Sequence, residues 1–417
     1  MNFSNINVSG IIKQESVIQT RIKNMKLLIE NEDKIKDKNV LLRIDTDVPM
    51  AKEWTDGNTR EIVDDERLRA SIPTIKYLLE KGAQKITIIG HAGQPEGVDF
   101  NYSLWPVANR ISSLLGYKTQ FFKPQINYCL DEKIIIYENM RFDPREEKND
   151  PNLAKDLVKD QDLFVQDAFA TCHRAHASTF GVAKLLPSYA GMAVQREVEN
   201  LSRVIASPAE GCTIIIGGKK TEDKLPMIEN LIDKAENFLI GGVVANTFLT
   251  AKGLNLGKSL VETAVLDRAR EIIKKFEESP DKKFLLPVDL LFSKSLEKPE
   301  EIRQESVDYL DKIDNYYAVD IGIETLSNFL VVIKNSNTIF WNGNMGVSEV
   351  EEFQKSTWKI AEAIANSTAR KYAAGGDTSS FIRKVGLENN FDFMSNAGGA
   401  TLEFLAGKTL PGLEVLE

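Results

Sequence analysis

The chain of 417 residues is longer than one hydrophobic core usually supports, so we expect two domains of about 150 to 200 residues each. Its hydrophobic content of 42% and charged content of 27% are typical of a soluble globular protein. A formal net charge of −9 argues against general nucleic-acid binding, which needs a basic face. Any anionic ligand must therefore be met by a local basic pocket.

The three cysteines, Cys129, Cys172 and Cys212, show no paired spacing. Neither a disulfide framework nor a cysteine-based zinc site is supported, which favours a reducing, cytoplasmic location. Residues 1–24 lack the apolar core of a secretory signal, and we interpret them as an N-terminal extension in which disorder is expected. No run of about 18 apolar residues marks a membrane span.

From residue 40 onwards, short apolar runs alternate with longer segments of helical periodicity, which predicts an α/β fold with a largely parallel sheet. In the first half the predicted strands are 40–44, 86–89, 133–137 and 163–165, and the predicted helices are 67–81 and 103–115. The amphipathic pattern of residues 188–206 then predicts a long helix between two domains.

The second half repeats this architecture. Its predicted strands are 213–216, 237–240, 284–286, 318–321, 338–341 and, more weakly, 371–374. Nearly every one is followed by glycine, which permits positive φ and close approach of the backbone to a ligand. Glycines at so many strand ends indicate a surface for a nucleotide. The glycines are Gly217, Gly218, Gly241, Gly242, Gly322, Gly343, Gly375 and Gly376.

Two motifs of the second half favour phosphate binding. Gly375-Gly376-Asp377-Thr378 precedes a helical pattern, so its N–H groups form an anion site where Asp377 is able to hold Mg²⁺. The alternative is that Asp377 or Thr378 only caps the helix. Lys220 and Lys224 follow Gly217-Gly218 four residues apart, which predicts one shared helical face; a solvated lysine pair is the alternative. The spacing is not that of a P-loop.

Basic side chains gather at the predicted strand ends of the first half. They are Arg43, Arg67, His91, Arg141 and Arg174. Because ligands of open α/β sheets bind beyond the carboxyl ends of the strands, this set predicts a pocket for a small anion. His173 and His176 flank Arg174, and the alternatives for this segment are a capped loop or a zinc site with His91. The zinc hypothesis lacks a carboxylate second shell.

Taken in order, these motifs resemble the phosphoglycerate kinase family from about residue 40 to the C-terminus. They are RIDTDVP (43–49), RLRA (67–70), GHAGQP (90–95), ENMRF (138–142), DAF (167–169), HRAH (173–176), GGKKTEDK (217–224), WNGNMGV (341–347), GGDT (375–378) and LEFL (402–405). The resemblance implies two Rossmann-like lobes with mostly parallel sheets, joined by an interdomain helix and hinge.

The implied activity is glycolytic: reversible Mg²⁺-dependent phosphoryl transfer between 1,3-bisphosphoglycerate with ADP and 3-phosphoglycerate with ATP. The expected partners are these small molecules, with no nucleic acid or membrane, and a monomer whose hinge closes is expected. The implied domains are an acyl-substrate lobe at 25–190, an interdomain helix at 191–207, a nucleotide-binding lobe at 208–399 and a segment at 400–417 that returns to the first lobe.

The resemblance also assigns roles to single residues. Catalytic charge falls to Arg67, Lys220 and Arg43. The acyl substrate is assigned to Asp45, Asp47, Arg67, His91, Gln94, Arg141, Arg174 and His176. The nucleotide is assigned to Gly217, Gly218, Lys220, Lys224, Gly242, Gly322, Asn342, Glu349, Gly375, Gly376, Asp377 and Thr378, and Mg²⁺ to Asp377.

Several positions depart from the family pattern. The two with the largest expected effect are Gln94, where an arginine is expected, and Asp47, where an asparagine is expected. The others are Ala170, Ala397 and Val243 for glycine, Asn344 for proline, and Ile323-Glu324 for Pro-Lys. Two further hypotheses therefore stay open: a related kinase with another acyl substrate, and a non-catalytic nucleotide-binding protein. A dehydrogenase is disfavoured, since no G-x-G-x-x-G follows an early strand.

Overall fold

The computed structural model describes residues 24–55, 59–122 and 132–417. Cys129 and the predicted N-terminal extension, apart from its last residue, lie outside the described residues. The chain divides into two compact units, each described by itself below. Unit 1 comprises Met1–Glu199 and Thr409–Glu417, and unit 2 comprises Asn200–Lys408.

Unit 1 is built on a six-stranded parallel sheet. Its strands and one separate hairpin are β1 (Asn39–Arg43), the hairpin β2 (Met50–Thr55) and β3 (Thr59–Ile62), β4 (Lys85–Ile89), β5 (Gln120–Phe122), β6 (Ile134–Tyr137), β7 (Leu163–Gln166) and β8 (Ser188–Ala190). The order across the sheet is β5-β6-β4-β1-β7-β8. Arg43 at the end of β1 is in register with Ile89 of β4 and Gln166 of β7, so these three strands end at one edge.

Helices cover both faces of this sheet, and the core follows from the apolar runs. The helices are α1 (Glu66–Glu80), α2 (Trp105–Leu115), α3 (Pro151–Val158) and α4 (Met192–Ile205), the last of which crosses the division between the units. Leu42 packs into one hydrophobic cluster and Leu41 into another, and both are fully buried. A central parallel strand buries both faces, which is why its sequence is a continuous apolar run.

The predicted helix at 188–206 is wrong in its first residues. Residues 188–190 form the short edge strand β8, and the helix α4 begins at Met192. The chain turns at Gly191, where a Cβ atom would lie 2.2 Å from Oδ1 of Asp167. The same oxygen accepts a hydrogen bond from Ala193 N at 2.8 Å, so Asp167 fixes the start of α4.

Unit 2 contains a second six-stranded parallel sheet and a smaller antiparallel one. Their strands are β9 (Cys212–Ile216), β10 (Asn237–Ile240), β11 (Lys283–Leu285), β12 (Asp289–Ser293), β13 (Arg303–Ser306), β14 (Tyr317–Ile321), β15 (Thr338–Asn342), β16 (Arg370–Ala374) and β17 (Phe393–Ser395). The parallel sheet has the order β11-β10-β9-β15-β16-β17. The predicted α/β class with two mainly parallel sheets is confirmed.

One predicted strand of unit 2 has a different partner from the one expected. The segment 318–321 falls in β14, which pairs antiparallel with β12 in the three-stranded sheet β13-β12-β14. The pairing is fixed by residues distant in sequence: Asp289 accepts hydrogen bonds from Thr325 N and Glu324 N, which ties β12 to the helix after β14.

The helices of unit 2 and the C-terminal helix complete the fold. They are α5 (Leu225–Leu231), α6 (Gly242–Ala251), α7 (Leu266–Glu277), α8 (Ile323–Lys334), α9 (Lys355–Asn366), α10 (Gly376–Lys384), α11 (Gly398–Leu405) and α12 (Pro411–Glu414), the last in unit 1. None of the helices within the described ranges is long and apolar enough to cross a membrane.

Candidate active site

The basic residues of unit 1 lie at one edge of its sheet. Arg43 ends β1, His91 follows β4, Arg141 follows β6 and Arg174 follows β7. Parallel strands bring their carboxyl ends to the same edge, so residues distant in sequence are placed together there. Together with Arg67, at the start of α1, they form three hydrogen-bonded groups.

The first group is centred on Arg43, which is 1% exposed. Its guanidinium donates to Nδ1 of His91 at 2.8 Å, to Oγ of Ser178 at 3.3 Å and to the carbonyl of Ile44. A guanidinium only donates, so Nδ1 of His91 is the acceptor and the ring proton is on Nε2. Arg43 thereby orients His91 with a free donor on its other nitrogen.

Two histidines of this edge, His91 and His176, are uncharged at neutral pH. Burial, reinforced by Arg43, Arg141 and Arg174, holds the pKa of His91 well below its usual value. Burial and Arg141 lower the pKa of His176 to about 4. At neutral pH the positive charge of the cluster therefore comes from arginine, and the histidines serve as neutral hydrogen-bonding groups.

The second group joins Arg67 to two carboxylates. Nη1 of Arg67 lies 3.4 Å from Oδ2 of Asp45 and 3.9 Å from Oδ2 of Asp47, and it donates to the carbonyl of Asp47 at 2.9 Å. Burial raises the pKa of Asp45, and Arg67 opposes that shift. Arg67 is thus held at the edge of the sheet in a half-buried position, 28% exposed.

The loop after β4 connects these residues. Gly93 N donates to Oδ1 of Asp47 at 2.9 Å, and the Gly93 carbonyl accepts from Arg141. Arg141 also lies 3.1 Å from Glu147. Gln94, the next residue in the loop, is exposed. Hydrogen bonds through Gly93 therefore link Arg67 and Asp47 to Arg141. Gln94, which differs from the family pattern, is the next residue in the chain.

Arg174 and His176 belong to the segment after β7. Nε of Arg174 donates to Nε2 of the neighbouring His173 at 3.1 Å. His176 caps a π-helical turn at Ala177–Gly181, where its N–H donates to Oγ1 of Thr179. Turns of this kind are rare and frequently occur at functional sites. His173 thus contacts Arg174, and His176 is fixed by the turn that follows it.

In unit 2, glycine turns meet at the carboxyl ends of β9, β15 and β16. Gly218, Gly343 and Gly375 have φ of +80°, +95° and +97°, a region that favours glycine. A Cβ atom on Gly343 would lie 2.2 Å from the carbonyl oxygen of Gly217, so the two turns are packed backbone to backbone. No side chain fits between them, and their polar backbone groups define the floor of the site.

The start of α10 adds a helix N-terminus to this floor. The helix begins at Gly376, with Gly375 rather than Asp377 or Thr378 at the cap position. Thr378 instead accepts a hydrogen bond from Gly343 N at 2.7 Å through its hydroxyl. Asn342 donates to the carbonyl of Ala374 at 2.8 Å. Gly376 and Asp377 are exposed at the start of α10, where the first-turn N–H groups of a helix have no intrahelical partner.

The two predicted lysines lie in an irregular segment. The shared helical face predicted for them is wrong, because the helix α5 begins only at Leu225. Lys220 is exposed, while Lys224 is buried, and burial lowers the pKa of Lys224 to about 8. Both carboxylate oxygens of Glu262 accept from the backbone at Thr221 and Glu222. Glu262 thereby fixes the loop that carries Lys220.

A cavity of about 450 Å³ opens beside these turns. This size suits a small-molecule ligand. Its apolar walls come from residues such as Leu260, Leu290, Val319 and Val347. The predicted nucleotide residues among its lining are Gly218, Gly242, Glu349 and Asp377. Gly322 lies elsewhere against β12, where a Cβ atom would be 2.1 Å from the carboxylate of Asp289.

Sequence reasoning missed several polar residues of this cavity. Lys219, Asp320, Asn344 and Ser348 all line it. The signal for Lys219 was present, since it stands between the Gly217-Gly218 pair and Lys220. Asp320 carried none: it is buried, accepts from Ser356 N at 3.0 Å, and burial raises its pKa to about 7.

Comparison with known proteins identifies this arrangement. A sequence model of the family described as phosphoglycerate kinase matches residues 29–408. Phosphoglycerate kinase of Dictyoglomus turgidum is 42% identical over 402 residues, which cover 93% of this chain and 98% of that protein. The corresponding figures for Finegoldia magna are 40% identity over 394 residues, 92% and 97%.

Solved structures agree with the sequence comparison. The structure of phosphoglycerate kinase from Coxiella burnetii matches with a TM-score of 0.79 at 36% identity, covering 92% of this chain and 97% of that one. The crystal structure of phosphoglycerate kinase from Pyrococcus horikoshii gives a TM-score of 0.79 at 32% identity, covering 94% and 98%. The chain therefore belongs to the phosphoglycerate kinase family.

Proposed function

We propose that this chain catalyses reversible phosphoryl transfer between 1,3-bisphosphoglycerate with ADP and 3-phosphoglycerate with ATP, in glycolysis or gluconeogenesis. The observation that carries the proposal is the family match over residues 29–408, which includes both the arginine cluster and the glycine turns. No observation on the described residues favours another acyl substrate or a non-catalytic role.

The acyl substrate is proposed to bind the sheet edge of unit 1. Arg67, Arg141 and Arg174 supply charge for its phosphate and carboxylate, and guanidinium groups suit both because they donate two parallel hydrogen bonds. His91 and His176 donate as neutral groups, and Asp45 accepts from the substrate hydroxyl. Asp47 and Gln94 complete the set at the loop around Gly93.

The nucleotide is proposed to bind the cavity of unit 2. Its phosphates meet the glycine turns, the N-terminus of α10, Lys224 and Asn342, and Glu349 accepts from the ribose. The glycine positions are Gly217, Gly218, Gly242, Gly375 and Gly376, with Thr378 holding the turn at Gly343. Gly322 is packed against Asp289 and is not part of this set.

Magnesium is proposed to bind with the nucleotide at Asp377. Mg²⁺ commonly uses one or two carboxylates and takes its other ligands from water and substrate phosphates. Asp377 is an exposed carboxylate at a phosphate-binding helix start, while no three His, Cys, Asp or Glu side chains form a metal cluster among the described residues. The site therefore fits an ion that arrives with phosphate; when bound, the ion neutralises charge on the phosphate oxygens.

Transfer itself needs positioning and positive charge rather than covalent help from the protein. Lys220, exposed on its anchored loop, and Arg67 are proposed to neutralise the equatorial oxygens of the moving phosphoryl group. Arg43 is fully enclosed by His91, Ser178 and Ile44. We therefore propose that Arg43 acts by orienting His91, and that Arg67 contributes the catalytic charge of unit 1.

The domain boundaries 25–190, 191–207, 208–399 and 400–417, the hinge closure, the monomeric state and the cytoplasmic location remain predictions. In the structure, the segment grouped with unit 1 begins at Thr409, and Lys26 N donates to the carbonyl of Leu416 at 2.8 Å. This contact supports a C-terminal segment that stabilises the first lobe.

A coupled assay of ATP consumption tests the proposed function. Purified protein with Mg²⁺ is given 3-phosphoglycerate and, in parallel, a panel of other carboxylates such as glycerate, acetate and aspartate. We expect turnover with 3-phosphoglycerate alone. Tight ATP binding without turnover on 3-phosphoglycerate at millimolar concentration would contradict the proposal. Turnover on another carboxylate instead would indicate a related kinase with a different acyl substrate.

A further inference from the structure

One wall of the nucleotide cavity carries an ion pair that the roles above do not use. Nζ of Lys219 lies 3.2 Å from Oε1 of Glu349, and both residues line the cavity. We propose that Lys219 is a positioning residue, which holds the Glu349 carboxylate in place to accept a hydrogen bond from a sugar hydroxyl of the bound nucleotide. This inference rests on the proposed function, because it requires that the cavity bind ATP and ADP.

The charge of the cavity lining is the first argument. Among the described residues that line it, the carboxylates are Glu297, Asp320, Glu349 and Asp377, whereas Lys219 is the only cation. A nucleotide adds several negative charges from its phosphates. Like charges repel, so an uncompensated carboxylate on this wall would weaken binding. Lys219 offsets the charge of Glu349 where the sugar is expected to lie.

The exposure of the Glu349 side chain is the second argument. Its side chain is 64% exposed, and a free glutamate of this kind loses rotamer entropy when it is ordered by a ligand. The ion pair orders it beforehand. Lys219 contacts Oε1, and a carboxylate has about four acceptor positions, so Oε2 keeps lone pairs for a hydroxyl.

The backbone on both sides of the pair is fixed, which distinguishes it from an ordinary surface pair. Gly218, next to Lys219, donates its N–H to the carbonyl of Asn344 at 2.8 Å. The side chain of Asn344 donates through Nδ2 to the hydroxyl of Ser348 at 2.7 Å, and Ser348 precedes Glu349. The two charged side chains therefore extend from two hydrogen-bonded segments, which places them close enough to pair before a ligand binds.

The test is a comparison of two nucleotides rather than one affinity. Calorimetric titrations measure the Kd of Mg·ATP and of Mg·2′,3′-dideoxy-ATP, which lacks both sugar hydroxyls, for the wild type, Lys219→Ala, Lys219→Arg, Glu349→Ala and the double alanine variant. An exposed ion pair changes an equilibrium by no more than about fivefold, so we expect Lys219→Ala to weaken ATP by about three- to fivefold. The dideoxy analogue should lose clearly less affinity than ATP, because it experiences only the repulsion between Glu349 and the phosphates. Lys219→Arg should restore ATP affinity, and Lys219→Ala should add nothing to Glu349→Ala.

The outcomes separate this inference from the proposed function. Equal losses for both nucleotides would show that Lys219 acts only through its charge and would overturn the positioning role, as would no change for either. If the wild type binds neither nucleotide, the proposed function fails as well. Lys258→Ala, an exposed lysine outside the cavity lining, is the matched control and should leave both Kd values unchanged.

Discussion

The two proposed sites would meet negative charge by different means. Unit 1 presents guanidinium groups at the edge of its sheet, and carboxylates or carbonyls hold those of Arg67 and Arg141. Unit 2 presents backbone groups from glycine turns packed against one another, with Gly343 and Gly217 in direct backbone contact. A side-chain site can lose or gain one charge and keep its fold, whereas a site made of positive-φ turns depends on the absence of Cβ atoms.

The departures from the family pattern follow this difference. The two with the largest expected effect on substrate recognition, Gln94 and Asp47, both fall in unit 1. In unit 2, Val243 lies inside the helix α6 and Ala397 has φ of −97°, a conformation that ordinary residues adopt. Glycine remains at the positive-φ positions Gly218, Gly343 and Gly375. The lost glycines are therefore ones that the backbone did not require.

The largest effect is expected from the residue proposed to act on the moving phosphoryl group. Lys220→Ala removes one positive group from the transition state, and we expect kcat to fall by about 10²- to 10³-fold. The Kd of Mg·ATP should change far less. Steady-state kinetics and calorimetry on one preparation measure both quantities. Equal losses in turnover and affinity would place Lys220 in ground-state binding instead.

The proposed dependence of nucleotide binding on the glycine turns of unit 2 is tested at Gly343. Gly343→Ala puts a Cβ atom 2.2 Å from the Gly217 carbonyl at a φ of +95°, so both turns must shift. We expect the Kd of Mg·ATP to rise by at least about tenfold. The Kd of 3-phosphoglycerate should stay unchanged. Gly398→Ala is the control, since a Cβ atom there meets nothing within 4 Å. An unaffected ATP affinity in Gly343→Ala would remove the turn from the nucleotide site.

The proposed dependence of substrate binding on side-chain charge in unit 1 is tested by placing an arginine at residue 94. Gln94→Arg adds a guanidinium beside Gly93 and Arg141, and one charge-assisted hydrogen bond should lower the KM for 3-phosphoglycerate by about tenfold. Gln84→Arg makes the same change at an exposed position before β4, at the opposite edge of the sheet, and controls for net charge. If both variants behave alike, residue 94 does not face the substrate.

A smaller effect is expected in the pH dependence of nucleotide binding to unit 2. Burial lowers the pKa of Lys224 to about 8 in the free protein, and bound phosphates favour its charged form, so its pKa rises on binding. Nucleotide affinity should therefore be full well below pH 8, and it should decline by about fivefold between pH 7.5 and 9. Lys224→Arg stays charged and should flatten this slope. The same slope in both proteins would exclude Lys224 as its source.

The sequence best predicted those strands that are buried on both faces of the sheet. The central strands were predicted within one or two residues, because β1 and β4 are buried on both faces and read as apolar runs. The edge strands β5, β8 and β17 were missed, since each has only three residues, which is too short a run to show a strand periodicity. The antiparallel pairing of β14 with β12 depends on contacts of Asp289 that no local pattern contains.

The sequence predicted which residue types the candidate site contains, but not how they are buried or arranged. An arginine that ends an apolar run is equally consistent with a substrate ligand and with the enclosed position that Arg43 occupies. Burial also decided the charge state of His91, which sequence could only describe as potentially cationic. Glu262 was missed because its hydrogen-bond partners lie far away in the chain. Lys219 was missed although it stands inside the glycine-lysine motif.

The most direct test of the central claim is detection of the acyl phosphate itself. Protein, Mg·ATP and 3-phosphoglycerate are incubated with hydroxylamine, which traps an acyl phosphate as its hydroxamate, and ADP is measured in the same samples. If the arginine edge of unit 1 and the cavity of unit 2 serve one transfer, hydroxamate and ADP form in equal amounts and both require 3-phosphoglycerate. ADP without hydroxamate would show that the nucleotide is hydrolysed and would contradict the account.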